Sequence, residues 1–173
     1  INKKKFIYLI SPNKIRNSFY TDLNKILKLN KVSFFQLRLK KEKLKKKVLI
    51  GKKIKKICKK NNVKFLINDD VFLAKKLNAD GCHLGQQDMH LLKAKKILKK
   101  KIIGITCHNS ILLAKKAIKN KPSYIAFGAF FHSNTKSAKY RANLSLLRRA
   151  KKLTNTPVVA IGGIKDTNYK NMK

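Results

Sequence analysis

The chain has 173 residues, of which 44 are Lys or Arg and 7 are Asp or Glu, so its formal net charge is +37. This length predicts one domain over residues 1–173, and a hydrophobic fraction of 43% excludes an intrinsically disordered chain. The longest apolar runs are too short to cross a bilayer and no secretory signal is visible, so we expect a cytoplasmic protein without a membrane partner.

The positive charge does not by itself predict a nucleic-acid ligand. Of the 44 basic residues, 39 are Lys and five are Arg, and the lysines are spread along almost every predicted helix. Arg is the side chain that contacts bases and phosphates in a bidentate manner, and it is scarce here. We therefore expect no specific nucleic-acid partner and interpret the lysines as solvated helix faces.

Short β-branched or aromatic segments alternate with lysine-rich segments whose apolar residues recur at helical spacing. In chain order, the predicted strands are 5–10, 33–39, 63–67, 81–84, 102–106, 124–130 and 158–161. Strands that alternate with helices predict a parallel sheet with right-handed crossovers. Because there are seven strands and no GxGxxG motif at the first helix, the pattern favours a TIM (β/α)8-type barrel over a Rossmann sheet.

One feature does not fit a complete barrel. The chain ends at Lys173, shortly after the seventh predicted strand, whereas a barrel of this type has eight strands. The first residue is Ile1 rather than a methionine. We therefore expect either a fragment or a barrel that is truncated at its C-terminus and lacks the eighth strand.

Polar residues follow the predicted strands, at the end where barrel enzymes have their active sites. Gln36, Arg38 and Lys40 alternate along the second predicted strand, which would direct all three side chains to one side. Further polar or glycine positions after the other strands are Asn68-Asp69, Asp88, Thr106, Ser133-Asn134-Thr135-Lys136 and Gly162-Gly163.

Four of the seven acidic residues fall between positions 69 and 88. Asp70 is predicted to cap the third helix, and Asp80, which precedes a glycine, is predicted to lie in a turn. Asp69 and Asp88 follow neighbouring strands, where they are either ligands of Mg²⁺ or solvated loop residues. Three basic residues would bind a polyphosphate at the same end of the strands: Arg38, Lys40 and Lys136.

Five segments, taken in order along the chain, form a recognisable pattern: 36–40, 67–69, 79–88, 133–136 and 160–164, with 104–106 as a weaker sixth. Through these segments the chain resembles the family of thiamine phosphate synthases and thiazole tautomerases. The resemblance spans essentially the whole chain and covers the first seven strands of that family's barrel.

The resemblance implies a transferase that joins a pyrimidine methyl diphosphate to a thiazole phosphate and gives thiamine phosphate and pyrophosphate. It implies that the pyrimidine diphosphate contacts Gln36, Arg38, Lys40 and Asn68. It implies Mg²⁺ as the cofactor, bound by Asp69 and Asp88, and Lys136 at the departing diphosphate. Thr106 keeps the hydroxyl of the family's usual serine. The thiazole phosphate would contact Ser133, Asn134, Thr135, Gly162 and Gly163.

In this reading Arg38, Lys40 and Lys136 are the catalytic residues, and no protein nucleophile or general base is required. Two alternatives stay open. A thiazole tautomerase would need no diphosphate clamp and would use His108 or His132 as its acid or base. A non-catalytic, truncated basic barrel would bind polyanions with a steep salt dependence and no need for Mg²⁺. A homo-oligomer is compatible with all three.

Overall fold

The computed structural model describes residues 6–132 and 139–172, and within those ranges strands alternate with helices. The strands are β1 (Ile7–Ile10), β2 (Val32–Leu37), β3 (Lys64–Asn68), β4 (Gly81–Leu84), β5 (Ile102–Thr106), β6 (Tyr124–Phe127) and β7 (Val158–Ala160). The helices are α1 (Ser18–Leu27), α2 (Leu44–Lys60), α3 (Val71–Lys76), α4 (Leu91–Leu98), α5 (Ile111–Lys119) and α6 (Leu144–Leu153), and a 3-10 helix spans Tyr169–Met172. Each of the seven predicted strands is confirmed.

Three predicted strands end earlier than expected, and for β7 the difference is a single residue, since it ends at Ala160 rather than at residue 161. β2 ends at Leu37 rather than at residue 39, and β6 ends at Phe127 rather than at residue 130. For β2 and β6 the reason is that the backbone N–H of the first residue after β2, and that of the second residue after β6, bond outside the strand ladder. The N–H of Arg38 donates to Ser11 Oγ at 2.9 Å, and that of Ala129 donates to the carbonyl oxygen of Tyr140 at 3.0 Å.

The chain forms two compact units, which are described in turn; one domain over residues 1–173 stays a prediction. The first unit comprises residues 1–83 and 97–101. In it, β1 to β3 each pair in parallel with the next strand, so that Ile10 lies opposite Gln36 and Asn68 lies opposite His83. Because parallel strands run in the same direction, the segments that follow β1, β2 and β3 lie at one edge of this part of the sheet.

The core of the first unit is built from strands that are apolar on both faces. Phe65 and Leu66 of β3 are fully buried, which is typical of a parallel sheet with helices on its faces. Ile50, Ile54 and Cys58 of α2 are buried at a spacing of four residues, so one stripe of this helix packs inward. Burial of each large apolar side chain stabilises the fold by about 1.5–3 kcal/mol.

The second unit comprises residues 84–96 and 102–173. In it, β5 pairs with β6 and β6 pairs with β7, again in parallel, with Thr106 opposite Ala126 and Phe127 opposite Ala160. Its core cluster contains small residues from the helices and larger ones from β6. The buried members are Cys107, Ala114, Ala117, Ile125, Phe127, Leu146 and Ala150.

The lysines lie on the helix faces that point away from these cores. On α2, for example, Lys45, Lys52 and Lys59 are exposed. With 7 acidic residues in the chain, most of the 44 basic residues have no carboxylate partner. Among the helices of the described ranges, none is both long enough and apolar enough to cross a bilayer.

The predicted helix cap at Asp70 is confirmed. Its carboxylate accepts a hydrogen bond at 2.8 Å from the backbone N–H of Leu73, which satisfies one of the unpaired donors at the start of α3. This helix has only 6 residues, so its first turn forms most of it. The cap therefore fixes the connection between the end of β3 and the start of α3.

We predict that Asp70→Ala lowers the free energy of unfolding by about 1 kcal/mol, because the bond to Leu73 is lost. Urea denaturation monitored by circular dichroism measures this change. Asn17→Ala is the matched control, since Asn17 holds the cap position of α1 without a side-chain hydrogen bond to the helix. Equal stability of the two variants would contradict a role for the Asp70 cap.

Candidate active site

Gln36 is held inside the first unit by a side-chain hydrogen bond. Its side chain is buried, and its Nε2 donates to Tyr8 Oη at 2.6 Å. Tyr8 belongs to β1, the strand that pairs with β2. A buried amide needs such a partner because leaving it unpaired costs about 1–3 kcal/mol. Tyr8 therefore fixes the orientation of the Gln36 amide.

The prediction that Gln36, Arg38 and Lys40 alternate along one strand is wrong. β2 ends at Leu37, so Arg38 and Lys40 lie in the segment that follows it. Arg38 is half-buried and Lys40 is exposed, while Leu39 between them is buried. The positions of the two basic side chains are therefore set by contacts with neighbouring loops, and not by the alternation of a strand.

Lys40 and Asp69 form an ion pair across the ends of β2 and β3. Lys40 Nζ lies 3.0 Å from Asp69 Oδ2, with exposed side-chain fractions of 54% and 27%. A pair this exposed to solvent contributes only about 0–1 kcal/mol to stability. Lys40 can therefore bind an anion, and Asp69 a cation, in place of this ion pair with little loss of stability.

These two side chains border a cavity at the carboxyl ends of β2 and β3, with a volume of about 220 Å³. Its polar lining includes the side chains of Asn68, Asp69 and Asp70 together with two lysines. The complete lining is Leu37, Leu39, Lys40, Lys47, Ile67, Asn68, Asp69, Asp70 and Leu73. The structure thus brings together three of the predicted site residues, namely Lys40, Asn68 and Asp69.

Asp69 adopts an uncommon backbone conformation. Its φ is 62°, in the left-handed region that Asp and Asn tolerate better than most residues other than glycine. Its N–H donates to the carbonyl oxygen of His83 at 2.8 Å, which anchors it to β4. The turn at Asp69 places Asp70 at the start of α3, so the predicted metal ligand and the helix cap are adjacent in the chain.

Asp88 lies in the second unit, in the turn that follows β4. Its Oδ2 accepts a hydrogen bond at 2.6 Å from the backbone N–H of Gly85. A Cβ atom on Gly85 would lie only 2.8 Å from that oxygen, so the carboxylate packs directly against the glycine. In the same turn, Gln86 Nε2 donates to the carbonyl oxygen of Thr106. The carboxylate of Asp88 is therefore fixed by its own turn.

Asp80, the remaining acidic residue of this region, has a structural role. It lies at a bend before β4, as predicted, and its carboxylate accepts a hydrogen bond at 2.9 Å from the N–H of Phe65. Lys64 Nζ lies 3.7 Å from the same carboxylate. These contacts tie the beginning of β3 to the segment that precedes β4.

Within residues 6–132 and 139–172, no group of three or more His, Cys, Asp or Glu side chains could hold a metal ion. Mg²⁺ needs fewer protein ligands, since one or two carboxylates suffice when water and phosphate oxygens complete its shell. The assignment of Asp69 and Asp88 as its ligands thus stays a prediction.

Thr106 ends β5 and leads into a turn of the second unit. His108 in this turn has a φ of 50°, and its carbonyl oxygen accepts a hydrogen bond at 3.0 Å from the N–H of Gly128. Its imidazole packs on the Tyr140 ring, with 4.5 Å between the ring centroids. His132, the other histidine considered as an acid or base, is exposed.

Gly162 and Gly163 follow β7 and lie against the loop after β6. Their φ angles are 94° and 68°, in the region that favours glycine. A Cβ atom on Gly163 would lie 2.6 Å from the carbonyl oxygen of Phe131, whose N–H donates to the carbonyl oxygen of Gly162 at 3.0 Å. Both glycines are therefore required by backbone packing. The other predicted thiazole phosphate ligands and Lys136 lie outside the described residues: Ser133, Asn134, Thr135 and Lys136.

The three cysteines lie in the cores and form no disulfide. Cys58, Cys82 and Cys107 are all buried, as expected for small core residues. Burial raises the pKa of the Cys58 and Cys107 thiols to about 12, with the Asp80 charge as a smaller cause at Cys58. Both thiols are therefore protonated near neutral pH and are poor nucleophiles.

Three residues near predicted site residues were missed by the sequence analysis: Tyr8, Ser11 and Asn13. They contact Gln36 or Arg38 from β1 and the segment that follows it. They are 25 to 28 positions away from their partners in the chain, and no motif marks them. The only signal in the sequence was the expectation that β1 and β2 are neighbours in a parallel sheet.

We predict that Gly163→Ala lowers the free energy of unfolding by about 1–3 kcal/mol, because alanine is strained at this φ and would clash with the loop after β6. Chemical denaturation measures the change. Lys165→Ala, an exposed position two residues further on, is the control and should change stability by less than about 0.5 kcal/mol. Unchanged stability of Gly163→Ala would show that the loop does not pack on this glycine.

Comparison with known proteins supports the resemblance found in the sequence. The family model described as thiamine monophosphate synthase matches residues 7–173. A thiamine-phosphate synthase of Pelagibacter ubique (strain HTCC1062) is 66% identical over 170 residues, which is 98% of this chain and 82% of that protein. A thiamine-phosphate synthase of Saccharophagus degradans is 44% identical over 138 residues, covering 79% of this chain and 64% of its own length.

Among solved structures, a thiamine phosphate pyrophosphorylase from Pyrococcus furiosus is similar, with a TM-score of 0.84 and 28% identity over 96% of this chain and 79% of its own. A 3-hexulose-6-phosphate synthase, at 13% identity and a TM-score of 0.60, shares the fold alone. The predicted (β/α)8-type barrel fold, with seven strands in the described residues, is confirmed. From the match over 7–173 and the 66% identity, we conclude that the chain belongs to the thiamine monophosphate synthase family.

Proposed function

We propose that this chain condenses 4-amino-2-methyl-5-(diphosphooxymethyl)pyrimidine with thiazole phosphate to give thiamine phosphate and pyrophosphate. The family is one of transferases, and the observation that carries the proposal is 66% identity to a thiamine-phosphate synthase over 98% of the chain. The cavity at the ends of β2 and β3 adds support, because Lys40, Asn68 and Asp69 line it together.

In the proposed reaction, the C–O bond between the pyrimidine methylene and the diphosphate breaks, and pyrophosphate leaves with both electrons. The thiazole nitrogen then forms a C–N bond to the methylene carbon. Negative charge grows on the leaving group, where Arg38, Lys40 and Lys136 would stabilise it. The aminopyrimidine ring delocalises the positive charge, so the protein supplies positioning and electrostatics rather than a nucleophile.

We propose Mg²⁺ as the cofactor, with Asp69 and Asp88 as its protein ligands. The donor set fits the ion, since carboxylate oxygens are the ligands it prefers and the Asp69 side chain is 27% exposed beside the cavity. When bound, Mg²⁺ neutralises charge on a diphosphate. Lys40 would then leave Asp69 and contact the diphosphate as a charge-assisted donor.

The deciding experiment measures thiamine phosphate formation from both substrates, with Mg²⁺ or with EDTA. We predict that product forms only with Mg²⁺, and that Asp69→Asn and Asp88→Asn each lower kcat/KM by about 100-fold or more, because a charged metal ligand becomes a neutral amide. Asp22→Asn, the same change at an exposed position on α1, is the control and should keep activity within about twofold.

The same variants separate the alternatives when isomerisation of the thiazole and binding of polyanions are measured as well. A tautomerase would isomerise the thiazole without Mg²⁺ and would lose activity on His108→Ala or His132→Ala, but not on Asp69→Asn. A non-catalytic basic barrel would form no product and would bind pyrophosphate, sulfate and nucleic acid alike, with affinity falling steeply as salt rises. No product from folded wild-type protein would contradict the synthase proposal for this chain.

A cytoplasmic location is part of the proposal. The cysteine side chains are buried, and no disulfide framework is needed to stabilise either core. Small-molecule phosphates are the expected partners. Whether copies of the chain associate stays a prediction, which light scattering of the purified protein measures.

A further inference from the structure

We infer that the segment Ser11–Asn13 after β1 positions Arg38, and that Asn13 is a positioning residue for the diphosphate of the pyrimidine substrate. The inference rests on the proposed function, because it concerns how Arg38 meets that substrate. All of the residues that carry it belong to the first unit, and neither Ser11 nor Asn13 was predicted from the sequence.

Ser11 fixes the backbone of Arg38. Its side chain is buried, and its Oγ accepts a hydrogen bond at 2.9 Å from the backbone N–H of Arg38. The backbone N–H of Ser11 in turn donates to the carbonyl oxygen of Gln36 at 2.9 Å. The segment after β1 therefore binds the chain on both sides of Leu37, at the point where β2 ends. These two bonds fix the backbone of Arg38 beyond the last hydrogen bond of the strand ladder.

Asn13 fixes the other end of the same side chain. Arg38 Nη1 donates to Asn13 Oδ1 at 2.9 Å, and Asn13 itself is exposed. A guanidinium has five N–H donors in a rigid plane, so one bond at Nη1 orients the whole group while four donors remain for a ligand. An arginine held in this way loses less rotamer freedom when it binds a phosphate.

Asn13 carries no charge, which leaves the positive charge of Arg38 available to an anionic ligand. Within residues 6–132 and 139–172, Arg38 takes part in none of the ion pairs, so its positive charge is not cancelled by a carboxylate. An aspartate at position 13 would offer an acceptor in the same place but would neutralise the guanidinium. An asparagine orients Arg38 and leaves its charge for the diphosphate, where charge-assisted bidentate bonds are strong.

The test is Asn13→Ala in the full 173-residue chain. We expect the KM for the pyrimidine diphosphate to rise about three- to tenfold, because Arg38 loses its orienting bond. The KM for the thiazole phosphate and the kcat should stay within about twofold, and the melting temperature within about 2 °C, since Asn13 is exposed. Asn17→Ala, an exposed asparagine four residues further on that makes no capping bond, is the matched control and should leave both KM values unchanged.

A double-mutant cycle with Arg38→Ala shows whether the effect passes through Arg38. In that background Asn13→Ala should have no further effect on the KM for the pyrimidine diphosphate. A wild-type KM for Asn13→Ala would overturn the inference, and so would an equal loss with and without Arg38. If wild-type protein forms no product, the proposed function fails by itself. In that case, calorimetric titration with inorganic pyrophosphate measures the Kd of the same four proteins. Asn13→Ala should weaken binding of pyrophosphate only when Arg38 is present.

Discussion

Parallel pairing of short apolar strands is the constraint on which the rest of this structure depends. In each unit the strands run in one direction, so the segments that follow them lie at one edge. Most strand residues are apolar because the strands are largely buried, and a buried polar side chain such as that of Gln36 needs a hydrogen-bond partner. Many of the polar residues lie instead in the segments that follow the strands, and this is where Asp69, Asp88 and His108 are found. The location of the candidate site follows from the packing of the core.

The scarcity of acidic residues makes each of them informative. Asp70 caps a helix, and Asp80 binds the beginning of β3. Asp69 and Asp88 each accept contacts that fix their position without burying them fully, which leaves them accessible to a ligand. In a chain with 7 acidic and 44 basic residues, two half-buried carboxylates near strand ends are an exception to the positive charge of the surface. The contacts of these four aspartates therefore separate structural from candidate binding residues more clearly than their spacing in the sequence does.

Much of the fold was predictable because the signals that determine it are local. The apolar segments predicted all seven strands, and the residue before Val71 predicted a cap that the structure confirms. What could not be predicted depends on contacts between distant segments. The early end of β2 requires Ser11 Oγ to bind the Arg38 backbone, and nothing near Arg38 in the chain encodes that. The roles of Tyr8 and Asn13 were missed for the same reason. Gly162 and Gly163 stay predicted phosphate ligands, and the sequence did not indicate that their positive φ and the adjacent Phe131 backbone also require glycine.

The lysine-covered helix faces have a consequence for the rate at which ligands arrive. An excess of 37 positive charges creates a potential that attracts phosphates from a distance and raises the frequency of their encounters with the protein. The same field slows the escape of a released polyanion such as pyrophosphate, so that turnover becomes sensitive to the ions that compete with it. At physiological ionic strength the field decays over about 8 Å, so its reach varies with the salt content of the cell. The surface lysines can in this way influence the rate of turnover at a site that most of them do not contact.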